Sequence, residues 1–282
     1  MFKYFWRKKK TLIVVVSAII LTTLGVRATD NLSSFLPAMV GEGLRGDQSP
    51  CPSDMVFVLS DKGGFCIDKY EASAGPACAY QDPQNQTQTR DNLNQADCKP
   101  VSASGAIPWR YISQDQAQTA CAKAGKRLPT NEEWYLAALG TPDPNSNWGV
   151  EDCHVASNWK SQPGPTGSGS KCVSSAGAYD MIGNVWEWVR GTAIDGVYED
   201  RKQLPERGYI DGTDGRGLPD LTNPDIPNPN YNEDFFWIHS EGTRAFTRGG
   251  HWDNQSRAGV YSVYLVYHPS SVGQGTGFRC VK

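Results

Sequence analysis

The fold of this chain is decided by four short stretches of sequence, and the central one reads GNVWEW at residues 183–188. Before it come CIDKYE at residues 66–71 and GKRLPTNEEW at residues 125–134. After it come the paired segments RGGHW at residues 248–252 and GFRC at residues 277–280. Each stretch is specific by itself, and the four in this order are far more specific than any one of them.

Short strands and long loops are predicted around these stretches. Residues 55–59 and 64–70 are apolar runs of the kind that forms buried strands. Residues 74–108 are rich in Pro, Asn, Gln and Asp and are predicted to form a loop. Residues 192–245, dense in Asp, Asn, Pro and Gly, are predicted to form a long irregular insertion. Loops of such length are usually functional.

Two helices are predicted in the middle of the chain, because both have clear start and stop signals. The S-x-x-Q pattern of residues 113–116 and the T-x-x-E pattern of residues 130–133 are capping boxes. The helices are expected to end at Gly125 and Gly140, since glycine is favoured just beyond a last turn. The chain beyond them shows only short strand signals and turns.

Composition and charge describe a globular protein without the features of a nucleic-acid binder. Of the 282 residues, 39% are hydrophobic and 20% are charged, which suits a chain with a sizeable core. Residues 1–28 hold six of the 27 basic residues and no acid. The remaining 21 basic residues face 30 acidic ones, a net charge of −9. This balance argues against a nucleic-acid partner.

Residues 1–28 have the pattern of a secretory signal peptide. Basic residues at 7–10 precede an apolar run over 12–26, and small residues lead up to a cleavage site after Ala28. An uncleaved membrane anchor is the alternative, because the basic cluster would hold the N-terminus inside. Residues 29–50 are predicted to be a linker. In either case we expect the rest of the chain outside the cytoplasm, secreted or anchored at the cell surface, with membrane contact only through the N-terminal segment.

Cysteine usage agrees with an oxidising compartment. All eight Cys lie after residue 50, and no CxxC pair indicates zinc or redox chemistry. Eight Cys allow 105 pairings, so the sequence leaves the connectivity open. We favour three short loops and one long-range connection, namely Cys51–Cys66, Cys78–Cys98, Cys153–Cys172 and Cys121–Cys280.

In their order, the four stretches resemble the domain of formylglycine-generating enzymes, the sulfatase-modifying factors, over residues 51–282. The resemblance implies an α+β fold of the C-type-lectin-like kind, rich in irregular loops and stapled by disulfides. No second domain boundary interrupts this region.

The family includes oxidases whose copper site is a pair of Cys five residues apart, upstream of the GFRC ending. A Cu(I) ion requires such soft thiolate ligands. Counted back from Gly277, the pair falls at Ser256 and Tyr261, neither of which carries sulfur. None of the four His has metal-binding spacing, and no other catalytic set replaces the pair. We therefore expect no copper and no enzyme activity, with an oxidase or oxygenase using other ligands as the alternative.

The resemblance also implies a structural calcium ion. Asp180 and Glu187, with the carbonyls of Gly183 and Val185, match positions that bind calcium in the enzymes. Hard oxygen ligands around a tight turn suit calcium. The alternative is that both carboxylates satisfy buried loop amides. At the family's second calcium site only Asn158 matches.

Residues 248–280 closely resemble the C-terminal variable region of proteins diversified by diversity-generating retroelements. In those proteins an invariant framework alternates with positions randomised by adenine-directed mutagenesis. The matching framework residues are Arg248, Gly249, Gly250, Trp252, Ala258, Gly259, Leu265, Pro269, Gly277, Phe278 and Arg279. The candidate variable, ligand-binding positions are His251, Asp253, Gln255, Arg257, Tyr264, Val266, Tyr267, His268, Ser271 and Gln274.

Side chains of this kind favour binding, because Tyr offers a large contact area at low rotamer cost and Ser, Asp and His offer adaptable hydrogen bonds. The alternative is that these residues merely alternate as ordinary strand residues. We predict a non-catalytic protein whose face at residues 251–275, bordered by residues 192–245, binds a macromolecular partner. That partner is expected to be a protein or glycan on another cell or a virus. A non-diversified carbohydrate-binding or structural envelope protein is the remaining alternative.

Overall fold

The computed structural model of the protein describes residues 50–199 and 202–282. The predicted leader (1–28) and nearly all of the predicted linker (29–50) lie outside these residues, so both stay predictions. Within the described part of the chain, no helix has the length and apolar character needed to cross a membrane.

Most of the described chain is organised around one mixed sheet. The described residues form thirteen strands: β1 (Met55–Val58), β2 (Phe65–Asp68), β3 (Ala72–Ala74), β4 (Pro100–Ser102), β5 (Trp186–Ile194), β6 (Val197–Tyr198), β7 (Lys202–Gln203), β8 (Gly208–Thr213), β9 (Pro219–Asn223), β10 (Phe235–Ile238), β11 (Thr243–Arg248), β12 (Val263–Leu265) and β13 (Thr276–Phe278). Nine of them form a sheet in the order β7-β6-β5-β11-β12-β10-β8-β9, with β13 paired to β5. The pairs β1–β2 and β3–β4 form two small antiparallel sheets.

Strand β5 begins within GNVWEW and is the centre of the large sheet. It pairs antiparallel with β11 and parallel with β13, which brings the RGGHW and GFRC segments to its two sides. Its first four residues, 186–189, are all buried. The charged Glu187 is therefore carried into the interior, where a carboxylate requires a partner.

Hydrophobic side chains pack in two clusters. The larger contains Trp134, Met181 and Phe246. The second contains Trp109, Trp188 and Phe278. Each of the four sequence stretches that decide the fold contributes a side chain to these clusters, namely Ile67, Trp134, Trp188 and Phe278. The stretches that decide the fold therefore also build its interior.

The two predicted helices are confirmed, together with their capping boxes. Helix α2 (Gln114–Lys123) follows Ser113, and helix α3 (Asn131–Ala138) follows Thr130. In each box the hydroxyl accepts from the backbone N–H three residues on, and that residue's side chain accepts from the capping residue's N–H in return.

The expectation that residues 74–108 form only a loop is wrong, because helix α1 (Gln86–Asn94) and strand β4 lie within it. The helix escapes detection since its buried side chains are polar. Thr89 accepts a hydrogen bond from the indole of Trp109 at 3.2 Å, and Asn92 exchanges two hydrogen bonds with the backbone of Tyr80. Because these polar contacts hold the helix, residues 86–94 carry no stripe of apolar side chains that would have predicted it.

Residues 192–245 are not the irregular insertion that their composition predicts. They contain strands β6 to β10 of the large sheet, besides the end of β5 and the start of β11. The strands are two to six residues long, and Gly and Asp occur within β8. Pairing with neighbouring strands therefore outweighs the weak propensity of these residues. Parallel pairing of β10 with β12 joins this region to the C-terminal segment.

The four favoured disulfides are all present. Cys51–Cys66, Cys78–Cys98 and Cys153–Cys172 close short loops, and Cys121–Cys280 joins helix α2 to the residue after the GFR triplet across 159 positions. The predicted disulfide-stapled α+β domain is thereby confirmed. Four disulfides indicate a protein of an oxidising, extracytoplasmic compartment.

Candidate ligand-binding face

The C-terminal segment is anchored by a buried arginine at each end. At the start, the guanidinium of Arg248 donates to the carbonyl oxygens of Gly217 and Val260, both at 3.0 Å, and lies 5.1 Å from the ring centre of Trp134. Burial lowers the pKa of Arg248 to about 10. Such an arginine holds backbone from three parts of the chain together.

At the other end, Arg279 is fully buried and binds Glu187 of strand β5. Its Nη2 and Nε atoms donate to both carboxylate oxygens over 2.6–2.9 Å. The same guanidinium donates to the backbone carbonyls of Asp68 and Tyr179 at 3.1 and 2.8 Å. Glu187 therefore has the partner that its burial demands, and the GFRC ending is joined to GNVWEW.

Gly259 is required because a carboxylate occupies the space a side chain would need. A Cβ atom built at Gly259 would lie within 3.0 Å of the carboxyl carbon and both oxygens of Asp234. Asp234 is itself fully buried and accepts the backbone N–H of Tyr261 at 2.7 Å. The aspartate just before β10 thus ties residues 192–245 to the C-terminal segment.

Between these anchors, buried and accessible residues alternate. The framework residues Ala258, Gly259 and Leu265 are buried, as are residues 277–279, while Trp252 and Pro269 are half-buried. None of the ten candidate variable positions is buried. Exposed are Asp253, Gln255, Arg257, His268 and Gln274; half-buried are His251, Tyr264, Val266, Tyr267 and Ser271.

Three of the half-buried candidates, His251, Tyr264 and Tyr267, form an aromatic surface. The rings of Tyr264 and Tyr267 are 4.8 Å apart, and Tyr264 also contacts Trp186 and Trp237, with centroid distances of 5.5 and 6.0 Å. Burial, with Tyr267 adding to it, raises the pKa of Tyr264 to about 12. His251 lies 6.5 Å from the ring of Trp186, edge-on. These side chains combine contact with the core and access to solvent.

Beside the aromatic surface lies an open cleft of about 450 Å³. Its walls come from two parts of the chain: residues 253–257, in and next to a short 3-10 helix, and the strand residues Tyr209 and Trp237. Residues 192–245 therefore do border the C-terminal face. Tyr209 and Trp237 are absent from the predicted site list, and their only signal in the sequence is an aromatic residue in a polar region.

The predicted copper-ligand positions hold other contacts. Tyr261 packs between Tyr135 and Tyr231, with ring centres 5.8 and 5.1 Å away, and Ser256 lies in the 3-10 helix Gln255–Arg257. All eight Cys are in disulfides, so no thiol is free.

The histidines do not converge. His154 is buried and stacks on Trp159, and burial lowers its pKa to about 4. The other three, His239, His251 and His268, reach solvent. Among the described residues, no group of three or more His, Cys, Asp or Glu side chains is placed to hold a metal ion.

The residues predicted to bind calcium do not fit the ion as they stand. Arg279 engages both oxygens of Glu187, and the indole of Trp134 donates to one of them at 2.7 Å. Asp180 accepts the N–H of Gly167 at 2.6 Å and keeps one buried oxygen without a partner. Burial raises the pKa of Asp180 to about 7.

Gly183 and Val185 lie at the turn leading into β5, where the N–H of Val185 donates to Glu71. Asn158 uses its amide within its own loop, donating to the carbonyls of Gly149 and Cys153. Calcium binding at Asp180, Gly183, Val185 and Glu187 stays a prediction, and it would require Glu187 to exchange Arg279 for the ion.

Several solved structures align with most of this chain at low identity. The Major Tropism Determinant I1 variant aligns with a TM-score of 0.44 and 16% identity, over 82% of this chain and 53% of that one. Treponema denticola variable protein 1 aligns with a TM-score of 0.38 and 14% identity, over 82% of this chain and 99% of that one.

Sequence relatives match shorter segments. The inactive C-alpha-formylglycine-generating enzyme 2 of Bos taurus is 33% identical over 39% of this chain and 40% of its own length. The hercynine oxygenase of Mycobacterium tuberculosis is 36% identical over 29% of this chain and 21% of its own length. The formylglycine-generating enzyme of Mus musculus is 34% identical over 29% of this chain and 26% of its own length. The chain thus aligns with less than half the length of each of these relatives.

The domain match is broader than any of these pairwise alignments. Residues 59–282 match the family described as the sulfatase-modifying factor enzyme 1-like domain, which covers all four of the sequence stretches that decide the fold. The chain therefore belongs to this family, as its motifs predict.

Proposed function

We propose that this protein is a non-catalytic binding protein whose C-terminal face, residues 251–275, binds a macromolecular partner outside the cytoplasm. The observation that carries the proposal is the separation of roles along residues 248–280. All ten candidate variable side chains have access to solvent, and the buried framework between them holds the backbone. At the five exposed positions, side chains can then be exchanged with little effect on the fold, since surface substitutions usually change stability by about 0.5 kcal/mol or less.

The composition of the face favours binding rather than chemistry. Tyr264 and Tyr267 supply aromatic area whose orientation is held by the core, and a rigid side chain loses little entropy on binding. Around them, Asp253, Gln255 and Arg257 supply exposed polar groups. The partner we propose is a protein or glycan on another cell or a virus.

Absence of a thiol pair supports a non-catalytic role. Copper of the type used by the oxidases of this family requires two thiolates, and every Cys of this chain is in a disulfide. The rival function is an oxidase. It predicts copper uptake and conversion of a Cys-bearing sulfatase peptide by the purified protein, and robust turnover would contradict our proposal.

The binding face can be tested without knowing the natural partner. In a display library the ten candidate positions are randomised, and hen lysozyme serves as the probe. We expect binders to be selected, with Tm values close to that of the parent. A control library randomises ten exposed positions outside the face. Failure of the first library to yield folded binders, or equal success of the second, would contradict the proposed site.

We further propose that residues 248–280 are diversified by a retroelement. The gene neighbourhood provides the test. Diversification requires a near-duplicate of the codons for residues 248–280 beside a reverse transcriptase gene, with mismatches confined to template adenines. Without such a duplicate, the non-diversified carbohydrate-binding or structural envelope protein replaces this part of the proposal.

A further inference from the structure

The cleft beside the aromatic surface has one wall of fixed aromatic rings. Trp237 contacts Trp186 edge-to-face at 5.5 Å and Phe235 at 4.7 Å, and Tyr209 contacts Phe235 at 5.0 Å. Both Trp237 and Tyr209 are half-buried, so each is held by packing while part of its ring reaches the cleft. Parts of two fixed aromatic rings therefore line the cleft.

The rest of the lining is polar, and one of its charged groups is already held against the aromatic wall. The guanidinium of Arg257 lies 5.1 Å from the ring centre of Phe235 and 5.5 Å from that of Tyr209. Its Nη2 donates to the hydroxyl of Tyr209 at 3.3 Å. Arg257 has no ion-pair partner among the described residues, so its remaining donors are available to a ligand.

The neighbouring side chains are also without internal partners. Asp253 and Gln255 form hydrogen bonds through their backbones alone. The N–H of Asp253 donates to His251, and Gln255 donates to the carbonyl of Val155 and accepts from the N–H of Ala258. In the described structure neither the carboxylate of Asp253, the amide of Gln255 nor the hydroxyl of Ser256 has a hydrogen-bond partner. One turn thus presents donors and acceptors together, facing two aromatic rings.

We propose that this cleft binds a neutral saccharide, the glycan component of the partner that the C-terminal face holds. The aromatic wall stacks on the apolar face of a pyranose ring, and the amide, carboxylate and guanidinium hydrogen-bond its hydroxyls. The volume falls within the range of roughly 300–1,000 Å³ typical of small-molecule sites.

The charges and the sheet disfavour other ligands. Asp253 repels an anion and Arg257 repels a cation, whereas a neutral polyol satisfies both. An apolar ligand would leave the polar wall without hydrogen bonds, which is costly. An extended peptide would need a free strand edge, but β10 lies between β12 and β8, and β8 lies between β10 and β9.

This inference rests on the proposed binding function and names the chemistry of its ligand. The test incubates the full-length protein on an array of immobilised neutral glycans, followed by titration of the best-retained one in solution. We compare Asp253→Ala/Gln255→Ala with a matched control, Asp97→Ala/Gln118→Ala, whose side chains are exposed elsewhere. We expect at least a ten-fold loss of affinity in the first variant, none in the control, and equal Tm values.

A second pair of variants tests the aromatic wall. Trp237→Phe is expected to keep binding within three-fold, whereas Trp237→Leu should lose at least ten-fold. No retained glycan, or equal affinity of the wild type and Asp253→Ala/Gln255→Ala, would overturn the saccharide site. If the lysozyme library still yields binders in that event, the binding face remains and only the saccharide inference fails.

Discussion

Substitution of Gly259 by alanine provides a sharp test of how the C-terminal face is held. The new methyl group would overlap the carboxylate of Asp234, and that carboxylate has nowhere to move. It is fully buried and accepts the backbone N–H of Tyr261 at 2.7 Å. Either the loop at Gly259 shifts, or the hydrogen bond to Tyr261 breaks.

The two costs can be estimated separately. Overpacking a well-packed interior costs about 1–3 kcal/mol. Loss of the hydrogen bond between Asp234 and Tyr261 adds about 1 kcal/mol. The free energy of unfolding should therefore fall by about 2–4 kcal/mol. For a domain of this size the corresponding decrease in Tm is on the order of 10 °C.

Gly215→Ala is the matched control, because Gly215 is exposed and a Cβ there would meet nothing within 4 Å. Urea unfolding of wild type, Gly259→Ala and Gly215→Ala measures the effect, and the control should stay within about 0.5 kcal/mol of wild type. In a second step, Asp234→Ala removes the overlapping group, so Gly259→Ala should cost less in that background. Equal stability of the two glycine variants would refute the reasoning.

Three further predictions concern the frame. Replacing Cys121 and Cys280 by alanine removes a disulfide that spans 159 positions. The chain-entropy model then predicts a decrease of ~5 kcal/mol in the free energy of unfolding, measured with urea. A decrease below 1 kcal/mol would contradict this. Burial raises the pKa of Asp234 to about 8, although Arg248 and the hydrogen bond from Tyr261 act in the opposite direction, so the folded state keeps a proton that the unfolded chain has already lost. The contribution of Asp234 to the free energy of unfolding should therefore decline as the pH rises from about 4 to 8, by at most about 1.4 kcal/mol per pH unit. Asp234→Asn should remove this decline. Parallel curves of stability against pH for wild type and variant would contradict the prediction. If calcium binds as predicted, the Tm of the wild type should be higher in 5 mM calcium than in EDTA, and Asp180→Asn should abolish this difference. Equal Tm values of the wild type in calcium and in EDTA would count against calcium binding.

Local signals in the sequence predicted the elements whose causes are local. The capping boxes at Ser113 and Thr130 each require only four consecutive residues, so both helix starts follow from the sequence. Helix α1 was missed because its contacts are polar and distant, as with Thr89 and Trp109. Strands β6 to β10 were missed because pairing with neighbours stabilises them despite unfavourable composition.

The site shows the same division. The resemblance of residues 248–280 to variable regions predicted ten ligand-binding side chains, all of which reach solvent. It could not predict that Tyr209 and Trp237, from strands β8 and β10, complete the face. Nor could it predict that Arg279 binds Glu187, a residue 92 positions earlier in the chain.

By itself, the sequence determined the family, the disulfide-stapled domain and the two helices that begin at capping boxes. Through its resemblance to variable regions it also determined which side chains near the C-terminus reach solvent. These properties depend on residue type and short-range spacing. Only the tertiary structure decided which distant groups meet: the partner of each buried charge, the strands formed by residues 192–245, and the aromatic wall of the cleft. Such contacts depend on how the sheet orders its strands, and no local pattern encodes that order.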